Sequence, residues 1–298
     1  MYELVQAGEK TYYINCPAKI GIYLSEERKA YLIDSGNDKE AGKKVLRILN
    51  DNNWTLAGII NTHSNADHIG GNNFLQQKTN CRIISTGLEN AFTKYPILET
   101  SFLYGGYPCK ELRNKFLLAP VSNPTDEIDS FLPEGLDFIR LGGHFFDMVG
   151  IKTSDDVYFL ADCIFGENII NKYHLSFIYD VAEFMHTLDT VELLEGKMFI
   201  PAHAEAAVDI KPLVQVNRNK VLEIMDRLVE ICMDPICFEE ILKKIFDAYS
   251  LTLDINQYVL VGSTVRSYLS YLHDSGRLEM LFCENRLLWK SKIIADNA

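Results

Sequence analysis

Residues 62–68 read THSNADH and follow the apolar run Leu56–Ile60, so His63, Asp67 and His68 fall on a tight loop at the end of a predicted buried strand. Two imidazoles and a carboxylate at this spacing are the donors that a zinc-like or iron-like divalent ion takes. A strand end holds such a loop still. An ion bound there would acidify a water from a pKa of about 15.7 to about 7 and polarise a carbonyl or phosphoryl oxygen.

The stretch resembles the first metal motif of the metallo-β-lactamase superfamily, THxHxDH, with His63, Asp67 and His68 matching and Asn65 standing at the middle histidine. LGGHFFDMVGI resembles the second motif, GHxxGHxGF. In that register His144 takes the first histidine, which usually lies just outside the metal, and Met148 takes the ligand position. A thioether suits soft ions rather than zinc. VYFLADCIF resembles the strand that ends in the bridging aspartate, which implies Asp162; KMFIPAHA resembles the last motif, with His203 as ligand and Ala202 where glycine is usual.

Sorted by ion, the departures fall on one side. Of three histidines for the first metal only His63 remains, whereas the second would keep Asp67, His68, His203 and the bridging Asp162. The resemblance therefore implies a one-metal centre holding zinc, with iron or manganese as alternatives. His63, Asn65, His144 and Met148 are its candidate outer groups, which orient ligands and tune bound water. Asp67, His63 and Asp162 are the candidate catalytic residues, with His63 or Asp162 orienting or deprotonating the water. His174, His186 and His273 lie outside any motif.

The elements that must position these residues are legible around them. TYYINC, GIYLSEE and KAYLIDS read as short strands, KEAGKKVLRILNDN as an amphipathic helix, LAGIINT as a strand, GGNNFLQQKTN as a helix and CRIIST as a strand. Gly70 and Gly71 allow close backbone approach. This is α/β alternation, and the resemblance implies an αββα sandwich over residues 1–210. Residues 88–135, rich in Tyr, Phe and Gly, form a long insertion, a lid or pocket wall on one reading and a structural flap or dimer contact on the other; Tyr104–Tyr107 is the part expected to move. Residues 211–298 change to three helices and a strand pair, an arrangement that resembles a winged helix. Residues 212–298 hold 10 Lys/Arg against 12 Asp/Glu, which suits packing or dimerisation better than duplex binding.

A net charge of −12 over 298 residues argues against nucleic acid as partner and leaves a small-molecule substrate. Seven dispersed cysteines read as reduced thiols. Cys163 reads as a small buried residue beside Asp162. No apolar run reaches the roughly 18–20 residues of a membrane span and the N-terminus has no leader pattern, so a cytoplasmic protein is expected. The function expected is hydrolysis of a small ester, thioester or lactone by a metal-activated water. Two rivals stand beside it: a non-catalytic ligand- or metal-sensing binding protein, and a mononuclear iron dioxygenase.

Overall fold

Strands and helices alternate from the start, and they do so because apolar side chains alternate along the strands while polar turns separate them. In a computed structural model that describes residues 2–292, strands β1 (Glu3–Gln6), β2 (Thr11–Asn15), β3 (Ile20–Leu24) and β4 (Lys29–Ile33) form an antiparallel meander. Helix α1 (Lys39–Asp51) then crosses to β5 (Thr55–Ile60), which pairs parallel with β4. The Asp38 carboxylate caps α1 by accepting from the Glu40 and Ala41 amides. Helices α2 (Ala66–Ile69) and α3 (Asn72–Thr79) lead to β6 (Arg82–Ser85), again parallel. The insertion follows with α4 (Gly87–Lys94) and α5 (Ile97–Tyr104), and returns to the first sheet at its edge strand β7 (Asp126–Glu127).

The second sheet runs in the order β11-β10-β9-β8, built from β8 (Leu136–Arg140), β9 (Val149–Thr153), β10 (Val157–Phe165) and β11 (Met198–His203). Helices α6 (Glu167–Tyr173) and α7 (Val181–Glu192) connect β10 to its parallel neighbour β11. All nine residues of β10 are buried, as expected for a strand covered on both faces.

Two-residue periodicity sorts side chains between layers. Ile33, Ile60 and Ile84 point inward to meet Ile151, Val157, Phe159 and Ile200 of the second sheet. Their neighbours Leu32, Ile59 and Ile83 point outward onto Val45 and Leu49 of α1 and Leu75 of α3. The result is an αββα sandwich. Its second outer face is covered by α7 and by α8 (Lys211–Ile231), in a core that continues into α9 (Phe238–Ala248) and α10 (Ile255–Asp274). Strand β12 (Ile236–Cys237) pairs with the closing hairpin of β13 (Leu278–Cys283) and β14 (Arg286–Ser291). Residues 293–298 of the expected C-terminal unit, and Met1 of the first, lie outside the described residues. Among the described residues no helix is long and apolar enough to cross a membrane.

Candidate metal centre

Asp34, one residue past β4, is the post to which the THSNADH loop is tied. Its backbone is left-handed (φ 63°), and its carboxylate accepts from Thr62 N and Thr62 Oγ1, both at 2.8 Å, and faces His68 Nδ1 at 2.7 Å. The single Thr62 hydroxyl proton goes to Asp34, so the Thr62 oxygen is left to accept from His63 Nδ1, 3.0 Å away. One buried carboxylate thus fixes both imidazoles with Nδ1 protonated and Nε2 turned inward. Carboxylate-to-histidine hydrogen bonds of this kind orient metal ligands and raise their basicity. A Cβ on Gly70 would lie 2.3 Å from the Asn37 carbonyl carbon, and one on Gly71 2.3 Å from the Ser35 oxygen, so the glycine pair lets α2 seat against this post.

The remaining donors come from the second sheet. Ladder register shifts in β10 between Phe159 and Ala161, where Ala161 takes φ 51°, and this irregularity re-aims the strand at Asp162. His203 ends β11 and its Nδ1 donates to the Pro17 carbonyl at 3.0 Å, leaving Nε2 3.2 Å from both Asp67 Oδ2 and Asp162 Oδ2. His68 Nε2 approaches Asp162 Oδ1 to 3.1 Å without hydrogen-bond alignment. Asp67, His68, Asp162 and His203 therefore form one set of donors within 4.8 Å of one another.

A second set shares Asp162. His63 and His144 complete it, again within 4.8 Å. His144 Nδ1 donates to the Phe177 carbonyl at 2.8 Å, and its Nε2 lies 3.7 Å from Asp162 Oδ2 and 3.0 Å from Asn65 Oδ1. Met148 is elsewhere: fully buried, it packs in the hydrophobic core of the second sheet. The GGHFFDM segment thus presents His144 and not Met148 to the centre, a correction to the motif register and to the placing of Met148 among the outer groups. The reason is packing, because an apolar thioether preceding β9 turns into the core while the imidazole four residues earlier faces the carboxylates.

Burial alone would lower His203 and His68, but the facing carboxylates outweigh it, pushing His203 up to about 10 and His68 well above its usual range. Burial would likewise raise Asp162 and Asp67, but the imidazoles win and hold both carboxyls low. His63 and His144 are lowered by burial. The fit to a divalent ion rests on three buried atoms without hydrogen-bond partners, His63 Nε2, His68 Nε2 and Asp162 Oδ1, all aimed at the same space. Borderline nitrogen and hard oxygen donors in this mixture suit zinc, iron or manganese.

Three carboxyl groups were not singled out from sequence. Asp34 had a signal, a carboxylate closing the apolar strand KAYLID beside the metal loop. Glu89 of α4 accepts from Ser64 N, Ser64 Oγ and Asp147 N at 2.9, 2.6 and 2.8 Å, tying the metal loop to the His144 loop. Glu99 of α5 accepts from Asn65 Nδ2 at 2.7 Å, and burial raises it well above the usual carboxylate range. Neither glutamate had a sequence signal, since both lie in the insertion. His174 stacks on Tyr249 at 4.6 Å and His273 packs edge-on to Trp289, both away from the centre. Cys163 is fully buried, burial pushes its thiol far up, and it stands outside both donor sets.

A sequence model of the metallo-beta-lactamase superfamily matches residues 21–203, a span that holds every donor described above. The chain belongs to the metallo-beta-lactamase superfamily. Two solved structures share its fold: a beta-lactamase domain protein from Burkholderia ambifaria, with 14% identity, 97% of this chain and 94% of that one covered and a TM-score of 0.74, and a metallo-beta-lactamase family protein from Thermus thermophilus, with 14% identity, 95% and 99% covered and a TM-score of 0.71. Curated relatives match over short stretches. A hydroxyacylglutathione hydrolase from Rhodopseudomonas palustris is 44% identical over 48 residues, which are 16% of this chain and 19% of that protein. One from Nitrobacter hamburgensis is 46% identical over 46 residues, 15% and 18% of the two chains. The chain thus matches about a fifth of the length of these relatives.

Proposed function

We propose that this superfamily member is a metal-dependent hydrolase of a small ester, thioester or lactone. The observation that carries the reading is the convergence of two donor sets on Asp162 at the floor of a cleft of about 410 Å³, into which Asp67, Asn65 and His144 also open. The two hydroxyacylglutathione hydrolases matched over part of their length support hydrolysis as the reaction class. Asp67, His68, Asp162 and His203 would hold one ion. His63 and His144 with Asp162 offer a weaker second place, because Asn65 brings an amide where a third imidazole would stand.

A bound ion supplies a Lewis acid and an acidified water. The protein's own groups do the rest. Asp67 is held ionised and its side chain is still 43% exposed, so its carboxylate can accept a hydrogen bond from a water at the cleft floor and orient it. Asn65, held from behind by Glu99, presents its amide toward the same place, and burial raises Glu99 well above the usual carboxylate range. His63 is fully buried and held by Thr62, which makes it a donor to the ion more than a proton carrier. The C-terminal unit we read as winged-helix-like and as a wall of the cleft.

Metal content per chain, measured on protein purified without chelator or affinity nickel, tests this together with turnover on ester, thioester and lactone panels. One to two ions are expected in the parent. Asp67→Ala with His203→Ala should lose both metal and turnover, while His144→Ala should lose only the second ion. Stoichiometric metal with no turnover on any panel would instead favour a binding protein, and oxygen consumption an iron oxygenase.

A further inference from the structure

The cleft above Asp162 is walled by parts of the chain that lie outside the metal motifs. The insertion contributes Leu103 and Leu117, and α10 contributes Leu260 and Val261. These two segments are packed together through a shared apolar cluster that includes Leu112 and Val259, and Asn114 Nδ2 donates to Asn256 Oδ1 at 3.0 Å across the same seam. Phe165 and Phe177 close the sides, next to His203 and His144 respectively. Charge is distributed unevenly. Among the described residues that line the cleft, Lys115 is the one lysine or arginine, and it is paired with Asp38 at 3.2 Å, whereas Asp67 and Asp162 are carboxylates held ionised. Beyond the metal donors at its floor, an anionic group would meet Lys115 alone among the lysines and arginines of these walls. Walls that are largely apolar with a few polar groups among them are the design of a site for a small, mostly apolar ligand.

From these features we infer that the cleft takes a neutral substrate with an apolar acyl chain, the chain lying between the insertion and α10 and the carbonyl at the His144–Asp162 end. This rests on the hydrolase reading and specifies its substrate class. The reaction balances as water plus acyl ester or thioester giving carboxylate, a proton and the alcohol or thiol: a C–O bond to water forms, and the C–O or C–S bond to the leaving group breaks. The leaving group takes one proton and the other is released. Leu260 and Val261 are the specificity determinants, since α10 places them against the chain and not against the carbonyl.

The test uses the full-length, metal-loaded protein and p-nitrophenyl esters from acetate to decanoate, alongside direct calorimetric binding of 2-alkanones from four to ten carbons, which cannot be hydrolysed. Both kcat/KM and ketone affinity should rise roughly fourfold per buried methylene until the cleft is filled. Val261→Phe should cut the octanoate-to-acetate ratio of kcat/KM at least tenfold, and Leu260→Ala should shift the optimum to longer chains. Thermal unfolding of each variant separates this from loss of fold. A neutral N-acetylcysteamine thioester should be turned over at least tenfold better than the glutathione thioester of the same acyl group. Hydrolysis independent of chain length, with ratios untouched in both variants, overturns the inference and leaves the hydrolase reading standing. Ketone affinity that rises with length, without turnover of any ester, thioester or lactone, supports the apolar occupant and overturns hydrolysis.

Discussion

Asp34 does more for the centre than its place outside the metal motifs suggests. Its two oxygens receive Thr62 N, Thr62 Oγ1 and His68 Nδ1, and through Thr62 they also settle the tautomer of His63. Asp34→Asn keeps the shape but offers one acceptor oxygen in place of two, so one imidazole loses its orienting partner. Metal affinity is expected to fall about 10- to 100-fold, as for other groups that orient metal ligands, with little change in far-UV circular dichroism. Competition with a chromophoric chelator reads this directly; unchanged affinity would show that the loop holds its imidazoles without Asp34.

At the scale of elements, the metal loop, the His144 loop and the end of β10 are held together by buried polar side chains. Glu89 of α4 joins the first two, and burial raises its pKa to about 7 against an ordinary 4.5. A carboxyl raised on folding binds its proton more tightly in the native state. Its stabilising contribution is therefore complete below about pH 4.5 and is lost as pH rises through about 7, up to roughly 3 kcal/mol in all. Denaturant titrations from pH 4.5 to 8 should show this loss in the parent and a flatter profile in Glu89→Gln. Asn217 of α8 secures the third piece: it accepts from Phe165 N at 2.9 Å and donates to Phe165 O at 2.9 Å, fixing the ring that stacks on His203 at an interplanar angle of 14°. Asn217→Leu strands two buried backbone groups, which costs about 2–3 kcal/mol. Urea unfolding measures that cost, and chelator competition should also report weaker metal retention.

The whole molecule is one continuous packing problem. Met148, just before β9, and Leu160 and Phe199 of the second sheet share a core with Val221, Ile224, Val265 and Trp289 of the C-terminal segment. A chain ended at residue 210 would expose that face and lose Leu260 and Val261 from the cleft. Such a truncation should aggregate or unfold at markedly lower denaturant, whereas the full chain should melt in a single cooperative transition by calorimetry. Two resolved transitions, with the truncated chain stable, would mean that the first 210 residues fold alone.

What the sequence determined by itself was local. Two-residue alternation in KAYLID and LAGIINT places Ile33 and Ile60 inward and Leu32 and Ile59 outward, and motif spacing at a strand end picks out His63, Asp67 and His68 before any coordinates. The order of four motifs was enough to name the sandwich, and the three helices and hairpin after residue 211 were legible as elements. Tertiary structure alone decided that His144 and not Met148 faces Asp162, because both fit a loosely matching motif and only burial distinguishes an apolar thioether from an imidazole. It also decided the parts played by Glu89, Glu99 and Asn217, whose partners lie 25 to 58 residues away in sequence. Periodicity reports which face of an element is buried; it carries no information about which distant polar atom meets it there.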